Sequence, residues 1–290
     1  MEKKYKLTEE TINVCGRTLH RIEALRDFGD VENGDKGGFI ENENNLSQSD
    51  ICWVYDDAKV YGDAKIYGNA VVCDNAIVCD NTKIHNHASV RGDVRVYGNA
   101  EVYGNAEIFG NAEVYGNAMI YGNAMVCNYA KVCGNAEVYD KAEVFGYAKV
   151  HGYAEVYETA RVYGNAKVRG NAIVYGDASV GDNAKIWMDA KVSGNVKIFG
   201  NVRIYDNAKV YGDAVVYGNA EVYGNAEIFG NAEVYGNAMI YGNAMVCNYA
   251  KVCGNAEVYD NAIVYGNAMV YDNAEIYGGR EVHGDEKVGE

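Results

Sequence analysis

The 290-residue sequence has no proline, no apolar run long enough to span a bilayer, and a deficit of basic residues. Absence of proline suits a chain in which nearly every backbone N–H pairs with a neighbouring strand. No hydrophobic segment follows the opening MEKKYKL, so we expect neither a membrane helix nor a signal peptide, and a cytoplasmic location. With 26 basic and 41 acidic residues, the formal charge of −15 argues against nucleic acid as a partner.

The sequence consists mainly of a repeated six-residue unit. It reads aliphatic, aromatic, Gly, Asn or Asp, Ala, then a variable residue, and it keeps one register from Val54 to Val288. Every aliphatic position of this register is Val or Ile, and 33 of the 39 positions four residues later are Ala. The exceptions, of which the last two are expected to mark the end of the array, are Thr82, Val94, Val196, Val202, Arg280 and Glu286.

This period predicts an all-β protein, a single-stranded parallel β-helix. Alternate side chains of a strand point to opposite faces, so Val, Ile and Ala should fill the interior while aromatic and variable residues lie outside. The Gly-Asn or Gly-Asp pair predicts a corner, because these residues accept a positive φ. Three strands and three corners make one eighteen-residue coil. The 234 residues from 54 to 287 then form about 13 coils, roughly 62 Å long at 4.8 Å per coil.

Residues 1–38 do not follow the six-residue rule and predict a small N-terminal β cap, with the β-helix spanning 39–290. Alternating β-branched residues on either side of Cys15-Gly16-Arg17 predict a hairpin within 11–25. A cap is expected because an uncovered coil end would offer unpaired backbone groups to other chains.

Residues 27–58 carry a more specific signal. Ile40, Leu46 and Cys52 take the phase later held by Ala, which predicts a wider first turn. The segment, with DFGDV, GDKGG, LSQ and CWVYD, resembles the start of YdcK-like hexapeptide-repeat proteins, which belong to the left-handed β-helix (trimeric LpxA-like) superfamily. The resemblance implies a left-handed helix. Because such arrays occur in phage and prophage settings, it also implies a phage-linked accessory or inhibitory protein.

The array contains an internal duplication. Residues 96–140 are identical to residues 216–260, at an offset of 120. That offset is a whole number of hexads but not a whole number of coils, so we expect the second copy to present its surface on a different side of the prism. Core and length are therefore more tightly specified by this sequence than the direction in which each copy faces.

Eight cysteines raise the question of a disulfide or zinc framework. Six lie at the outward aromatic phase, where a spacing of six within each pair puts partners on adjacent faces. We interpret them as reduced surface thiols, and predict neither a metal site nor a cofactor. These six residues are Cys73, Cys79, Cys127, Cys133, Cys247 and Cys253.

Residues eighteen apart are expected to stack into columns. Two aromatic ladders are predicted. They could form a platform that binds a protein partner or a second copy of the chain. Alternatively, their rings stack on one another and stiffen each face. A basic column should carry about 1 kcal/mol of repulsion per neighbouring pair, and is either a solvated ladder or a site for an anionic partner. The ladders are Tyr103, Tyr121, Tyr139, Tyr157, Tyr175 and Tyr205, Tyr223, Tyr241, Tyr259, Tyr277; the column is Lys131, Lys149, Lys167, Lys185, Arg203.

Catalysis receives the least support from the sequence. His85 and His87 form a local pair in IHNHA, and are the catalytic candidates to weigh, but a general base needs an orienting partner and a pocket, and neither is predicted. We favour a non-catalytic structural or interaction β-solenoid that presents its ladders to a protein partner or to itself. The alternative, implied by the resemblance, is a trimeric acyltransferase of the hexapeptide-repeat superfamily acting on an acyl-CoA. A third reading, acidic mimicry of DNA, is weakened by the basic column.

Overall fold

A computed structural model describes residues 2–289. The chain forms two compact units, Met1–Lys141 and Ala142–Glu290. Each unit is a parallel β-solenoid, and a single 3-10 turn, Glu43–Asn45, is the one helical element in the described part of the chain. The all-β, parallel β-helix predicted from the hexad is thus confirmed in both units, while its left-handed sense stays a prediction.

The first unit opens with an antiparallel hairpin of β1 (Tyr5–Val14) and β2 (Arg17–Ala24). Its two-residue turn, Cys15 and Gly16, has φ values of 52° and 80°, as a type I′ turn requires. This confirms the predicted hairpin. β2 also pairs with one edge of β3 (Lys36–Ile40), whose other edge joins the solenoid in parallel. The cap and its boundary at residue 38, which β3 spans, stay predictions.

Short parallel strands build the coils of the first unit. Each strand pairs in register with the strand eighteen residues further on, so every third strand belongs to one sheet. In chain order the strands are β4 (Trp53–Val54), β5 (Lys59–Val60), β6 (Lys65–Ile66), β7 (Val71–Val72), β8 (Ile77–Val78), β9 (Lys83–Ile84), β10 (Ser89–Val90), β11 (Arg95–Val96), β12 (Glu101–Val102), β13 (Glu107–Gly110), β14 (Glu113–Val114), β15 (Met119–Ile120), β16 (Met125–Asn128), β17 (Lys131–Gly134) and β18 (Glu137–Val138).

The second unit repeats this plan, again with three sheets. Its strands are β19 (Glu143–Val144), β20 (Lys149–Gly152), β21 (Glu155–Val156), β22 (Arg161–Val162), β23 (Lys167–Gly170), β24 (Ile173–Val174), β25 (Ser179–Val180), β26 (Lys185–Ile186), β27 (Lys191–Val192), β28 (Lys197–Ile198), β29 (Arg203–Ile204), β30 (Lys209–Val210), β31 (Val215–Val216), β32 (Glu221–Val222), β33 (Glu227–Ile228), β34 (Glu233–Val234), β35 (Met239–Ile240), β36 (Met245–Val246), β37 (Lys251–Val252), β38 (Glu257–Val258), β39 (Ile263–Val264), β40 (Met269–Val270), β41 (Glu275–Ile276), β42 (Glu281–Val282) and β43 (Lys287–Val288).

The interior is filled as the hexad predicts. The Val, Ile and Ala positions from Val54 to Ile276 are buried. Thr82, one of the exceptions, keeps its hydroxyl inside by donating to the Cys79 carbonyl at 2.7 Å. Arg280 and Glu286 are exposed in the last coil, although strand pairing continues to Val288.

Each corner combines a positive φ with close backbone contact. Gly104 has φ 74°, and a Cβ placed there would lie 2.8 Å from the backbone N and O of Gly122 in the next coil, so a larger residue at Gly104 would force the backbone to shift. Where Asp replaces Gly, as at Asp182 (φ 53°), its carboxylate accepts a hydrogen bond from the N–H of Gly200 at 2.9 Å. The corner asparagines also donate amide hydrogen bonds from coil to coil, for example Asn219 to Asn237 at 3.0 Å.

The first turn is closed by a buried cation. Ile40, Leu46 and Cys52 are buried as expected, but Lys4, which immediately precedes β1, is buried beside them. Its ammonium donates to the carbonyl oxygens of Asp50 and Cys52, both at 2.8 Å, and lies 3.6 Å from the Cys52 sulfur. Burial lowers the pKa of Lys4. All three ammonium protons therefore have a partner, and the hairpin is tied to the coil that follows it.

Candidate interaction surface

The two catalytic candidates, both in the first unit, have different surroundings. His85 is sandwiched between Tyr67 and Tyr103, with ring centroids 4.6 Å and 5.1 Å away and nearly parallel planes. Its Nε2 lies 2.9 Å from a carboxylate oxygen of Glu101. His87 is exposed and contacts the side-chain amide of Asn69 at 2.9 Å. Both faces of the His85 ring are thus covered, so His85 continues an aromatic column.

The cysteines carry no disulfide in the described part of the chain. The expectation of surface thiols is wrong for Cys127, Cys247 and Cys253, which are buried. A thiol is shorter than the tyrosine it replaces in the column, so neighbouring side chains can close over it. Burial correspondingly raises the pKa of Cys247.

One group of three ligand-type side chains lies close together at a corner of the first unit, and consists of Asp56, Cys73 and Asp74. Burial and the two carboxylates raise the pKa of Cys73 to about 11. The thiol is therefore protonated at neutral pH, which disfavours it as a metal ligand. Both carboxylates are also engaged, because Asp56 accepts a hydrogen bond from the N–H of Asp74 at 3.2 Å and Asp74 accepts one from the N–H of Gly92 at 2.7 Å.

Tyrosines of the predicted ladders stack within each unit. In the first unit Tyr103, Tyr121 and Tyr139 have centroids 4.9 Å and 4.8 Å apart, with planes within 3°. In the second unit Tyr157 stacks on Tyr175 at 5.0 Å. The second ladder lies wholly in the second unit, with spacings of 4.9 to 5.4 Å; its contacts are Tyr205–Tyr223, Tyr223–Tyr241, Tyr241–Tyr259 and Tyr259–Tyr277.

Ladder hydroxyls bond to carboxylates of the same solenoid unit. Tyr121 donates to Glu137, and Tyr241 to Glu257, both at 2.9 Å. Burial, and then the negative charge of Glu221, which accepts the same kind of hydrogen bond from Tyr205, raise the pKa of Tyr205 to about 12. Rings and hydroxyls thus contact neighbouring coils, which supports the stiffening role considered for the ladders.

Most of the predicted basic column lies on one sheet of the second unit. β20, β23, β26 and β29 are successive neighbours, and their first residues pair directly as Lys149–Lys167, Lys167–Lys185 and Lys185–Arg203. Lys131, the first member of the predicted column, belongs to the first unit, where its ammonium bonds to Glu113 at 2.9 Å.

This sheet concentrates unpaired positive charge. Lys131, Arg161 and Lys209 each have a Glu one coil away as ion-pair partner. Among the described residues, by contrast, no carboxylate forms an ion pair with Lys149, Lys167 or Lys185; the neighbouring outward residues that pair with them are cations. Arg203, at the end of the run, does bond to Glu221 at 2.7 Å.

The adjacent outward column begins with His151 and Arg169, which are also neighbours. Burial and then the charges of Arg169, Lys149 and Lys167 lower the pKa of His151, as expected in a positive field. The Arg169 guanidinium lies 5.0 Å above the ring of Trp187. Sequence reasoning missed these three residues, although their spacing of eighteen places them in one column.

No helix among residues 2–289 is long and apolar enough to cross a membrane. Comparison with known families gives a match to the YdcK β-solenoid repeat at residues 112–128, 160–176, 202–218 and 232–248. These segments lie in the repeat array and outside residues 27–58, which carried the resemblance seen in the sequence. No curated protein matches the chain. The chain is therefore similar to YdcK β-solenoid repeats at four places along its array.

Proposed function

We propose that the protein is a non-catalytic interaction solenoid, which binds a protein partner or a second copy of itself through the outward columns of its second unit. The observation that carries this proposal is the uninterrupted stack of Lys149, Lys167 and Lys185, which lacks ion-pair partners among the described residues. Neighbours about 4.8 Å apart repel by about 1 kcal/mol in water-like surroundings. An anionic surface would relieve that repulsion when it binds.

The rest of the solenoid supports display rather than catalysis. Stacked rings and Tyr–Glu hydrogen bonds make a stiff scaffold that holds charges at fixed spacing. His85 has its ring faces covered and its Nε2 beside Glu101, and its side chain is only 15% exposed, which leaves little room for a substrate. The resemblance to YdcK-like proteins implies a phage-linked accessory or inhibitory role, and a rigid surface that covers part of another protein fits that role.

Affinity capture from a bacterial lysate at low and high salt tests the proposal, together with self-association of the purified chain. The test variant is Lys149→Glu/Lys167→Glu/Lys185→Glu. A matched control, Lys191→Glu/Lys197→Glu/Lys287→Glu, changes the net charge equally at positions outside the column. We expect a stoichiometric complex, heteromeric or homomeric, that high salt and the test variant abolish and the control retains. A wild-type chain that forms neither kind of complex would refute the proposal.

A further inference from the structure

In the second unit, the charge of the outward column that contains the basic residues changes from positive to negative halfway along the column. This column begins with four cations on successive strands of one sheet, Lys149, Lys167, Lys185 and Arg203. The next four strands of the same sheet carry Glu221, Met239, Glu257 and Glu275 at the equivalent position. One half of the column is therefore cationic, and the other half is anionic with a single neutral residue.

A parallel column on the same sheet is aromatic. After His151 and Arg169 it continues with Trp187 and then with the second tyrosine ladder, whose rings stack from Tyr205 to Tyr277. Trp187 and Tyr205 are only partly buried, and Tyr277 is 57% exposed. The sheet thus presents a narrow strip with a charged side and an aromatic side, both running along eight strands.

Such a strip is complementary to itself when one copy is reversed. Consider a two-fold axis that lies in the contact plane, parallel to the strands, and passes between Arg203 and Glu221. Each column then faces the same column of the other copy in the opposite direction, as an isologous interface requires. Lys149 comes opposite Glu275, Lys167 opposite Glu257, and Arg203 opposite Glu221; Lys185 comes opposite Met239.

The aromatic side follows the same symmetry. Arg169 of one copy comes opposite Tyr259 of the other, and Trp187 comes opposite Tyr241. A guanidinium on a tyrosine ring and aromatic rings on one another are favourable contacts. No like charges lie opposite each other in this register. Lys185, the one cation of the column with no carboxylate opposite it, faces the neutral Met239.

We propose that this strip of the second unit is a homodimer interface in which two copies meet antiparallel. This deepens the proposed function, on which it rests, by naming a second copy as the occupant. The charge order also selects the register: moving either copy by one strand places Arg203 opposite Arg203, or Glu221 opposite Glu221. Because the contacts are largely between partly exposed charges, the dimer dissociates as salt increases.

An acidic partner of another kind would use the strip differently. It would need only the cationic half, and the carboxylates of Glu257 and Glu275 would repel it. Reversing those two charges would then strengthen binding, whereas a homodimer would be weakened. The anionic half is therefore the part that separates the two occupants.

Charge reversal tests the dimer in the full-length chain by sedimentation equilibrium at low and high salt. The first variant is Lys149→Glu/Lys167→Glu, the second is Glu257→Lys/Glu275→Lys, and the third combines all four changes. We expect wild type to dimerise, and the first and second variants each to raise the dissociation constant at least about tenfold. Their equimolar mixture should form a heterodimer, and the four-fold variant should dimerise again, because both restore opposite charges.

Several results would overturn the dimer. These are a wild-type chain that stays monomeric at every concentration, a second variant that dimerises as well as wild type, or a four-fold variant no better than the first two. Lys191→Glu/Lys197→Glu serves as the control for charge alone, and circular dichroism checks that each variant folds. A monomeric chain that still captures a partner in a salt-sensitive way would overturn the dimer and leave the interaction function standing.

Discussion

Residues 96–140 and 216–260 have one sequence in two structural settings. Their internal contacts are nearly the same. Lys131 bonds to Glu113 and Lys251 to Glu233, both at 2.9 Å. The ring spacing of Tyr97 and Tyr115 in the first copy is 4.9 Å, and 4.8 Å at the equivalent positions of the second. Contacts one coil apart within each copy are therefore set by the repeat itself, whichever unit contains it.

The two copies differ in the coil that precedes each of them. Glu101 of the first copy meets His85 at 2.9 Å and Lys83 at 3.8 Å. The equivalent Glu221 meets Arg203 at 2.7 Å, and Arg203 ends a run of four cations. The repeat thus determines the scaffold. The surface charges around each copy depend on which residues precede it in the same column. The second copy supplies three of the four residues in the anionic half of the proposed interface.

The largest expected effect comes from removing a core side chain at the same position of each copy. Ile108 and Ile228 are both fully buried. Ile108→Ala and Ile228→Ala should each lower the free energy of unfolding by about 2–5 kcal/mol, because each loses buried apolar volume and leaves a cavity. Urea unfolding measures both. If the two losses differ by much more than roughly 0.5 kcal/mol, the two copies are not energetically equivalent.

A corner substitution should cost less. Gly122 (φ 72°) and Gly242 (φ 70°) are equivalent, and at each a Cβ would meet the backbone N of an aspartate 2.8 Å away, in Asp140 or Asp260. We expect Gly122→Ala and Gly242→Ala to destabilise by about 1–3 kcal/mol each, owing to the strained backbone and close contact. Thermal unfolding gives the value, with Ala substituted at an outward Met of the same coil as control. Wild-type stability in either variant would contradict the corner geometry.

Alkaline pH tests the tyrosine–glutamate contacts in both copies. Burial raises the pKa of both Tyr121 and Tyr241 above the usual value. The carboxylate of Glu137 raises the pKa of Tyr121 further, and that of Glu257 does the same for Tyr241. The folded protein thus holds the phenol proton more tightly than the unfolded chain does. These residues contribute stability that is fully present below the unfolded pKa of about 10 and is lost as pH rises through the folded pKa.

Glu137→Gln and Glu257→Gln remove the carboxylate charge that accepts each hydroxyl proton. Each variant should shift one tyrosine to a lower pKa in a titration followed by tyrosinate absorbance, and the alkaline loss of stability should begin earlier. An unchanged titration in one copy, with a shift in the other, would show that the identical pairs are not equivalent.

The sequence specifies the scaffold because its period repeats without interruption. Val114 and Ala118 could be placed inside, and Gly116 at a corner, from alternation and turn chemistry alone. Lys4 could not be anticipated, since its burial depends on β1 lying against a coil nearly fifty residues away. The stacked cations followed from the spacing of eighteen. The anionic half lies in the same column at the same spacing of eighteen and extends to Glu275.

The smallest change in stability is expected when a single surface charge is removed. The change should be the same in the two copies, and different for a lysine of the basic column. Lys131→Ala and Lys251→Ala each remove one partly exposed ion pair and should cost about 0–1 kcal/mol. Lys167 instead lies between Lys149 and Lys185, so Lys167→Ala should leave monomer stability unchanged or raise it slightly by relieving repulsion. Urea unfolding at high salt, where the proposed dimer dissociates, isolates the monomer. If Lys167→Ala were as costly as Lys131→Ala there, the lysine would have a stabilising partner within its own chain, and its stack would no longer require an external anion.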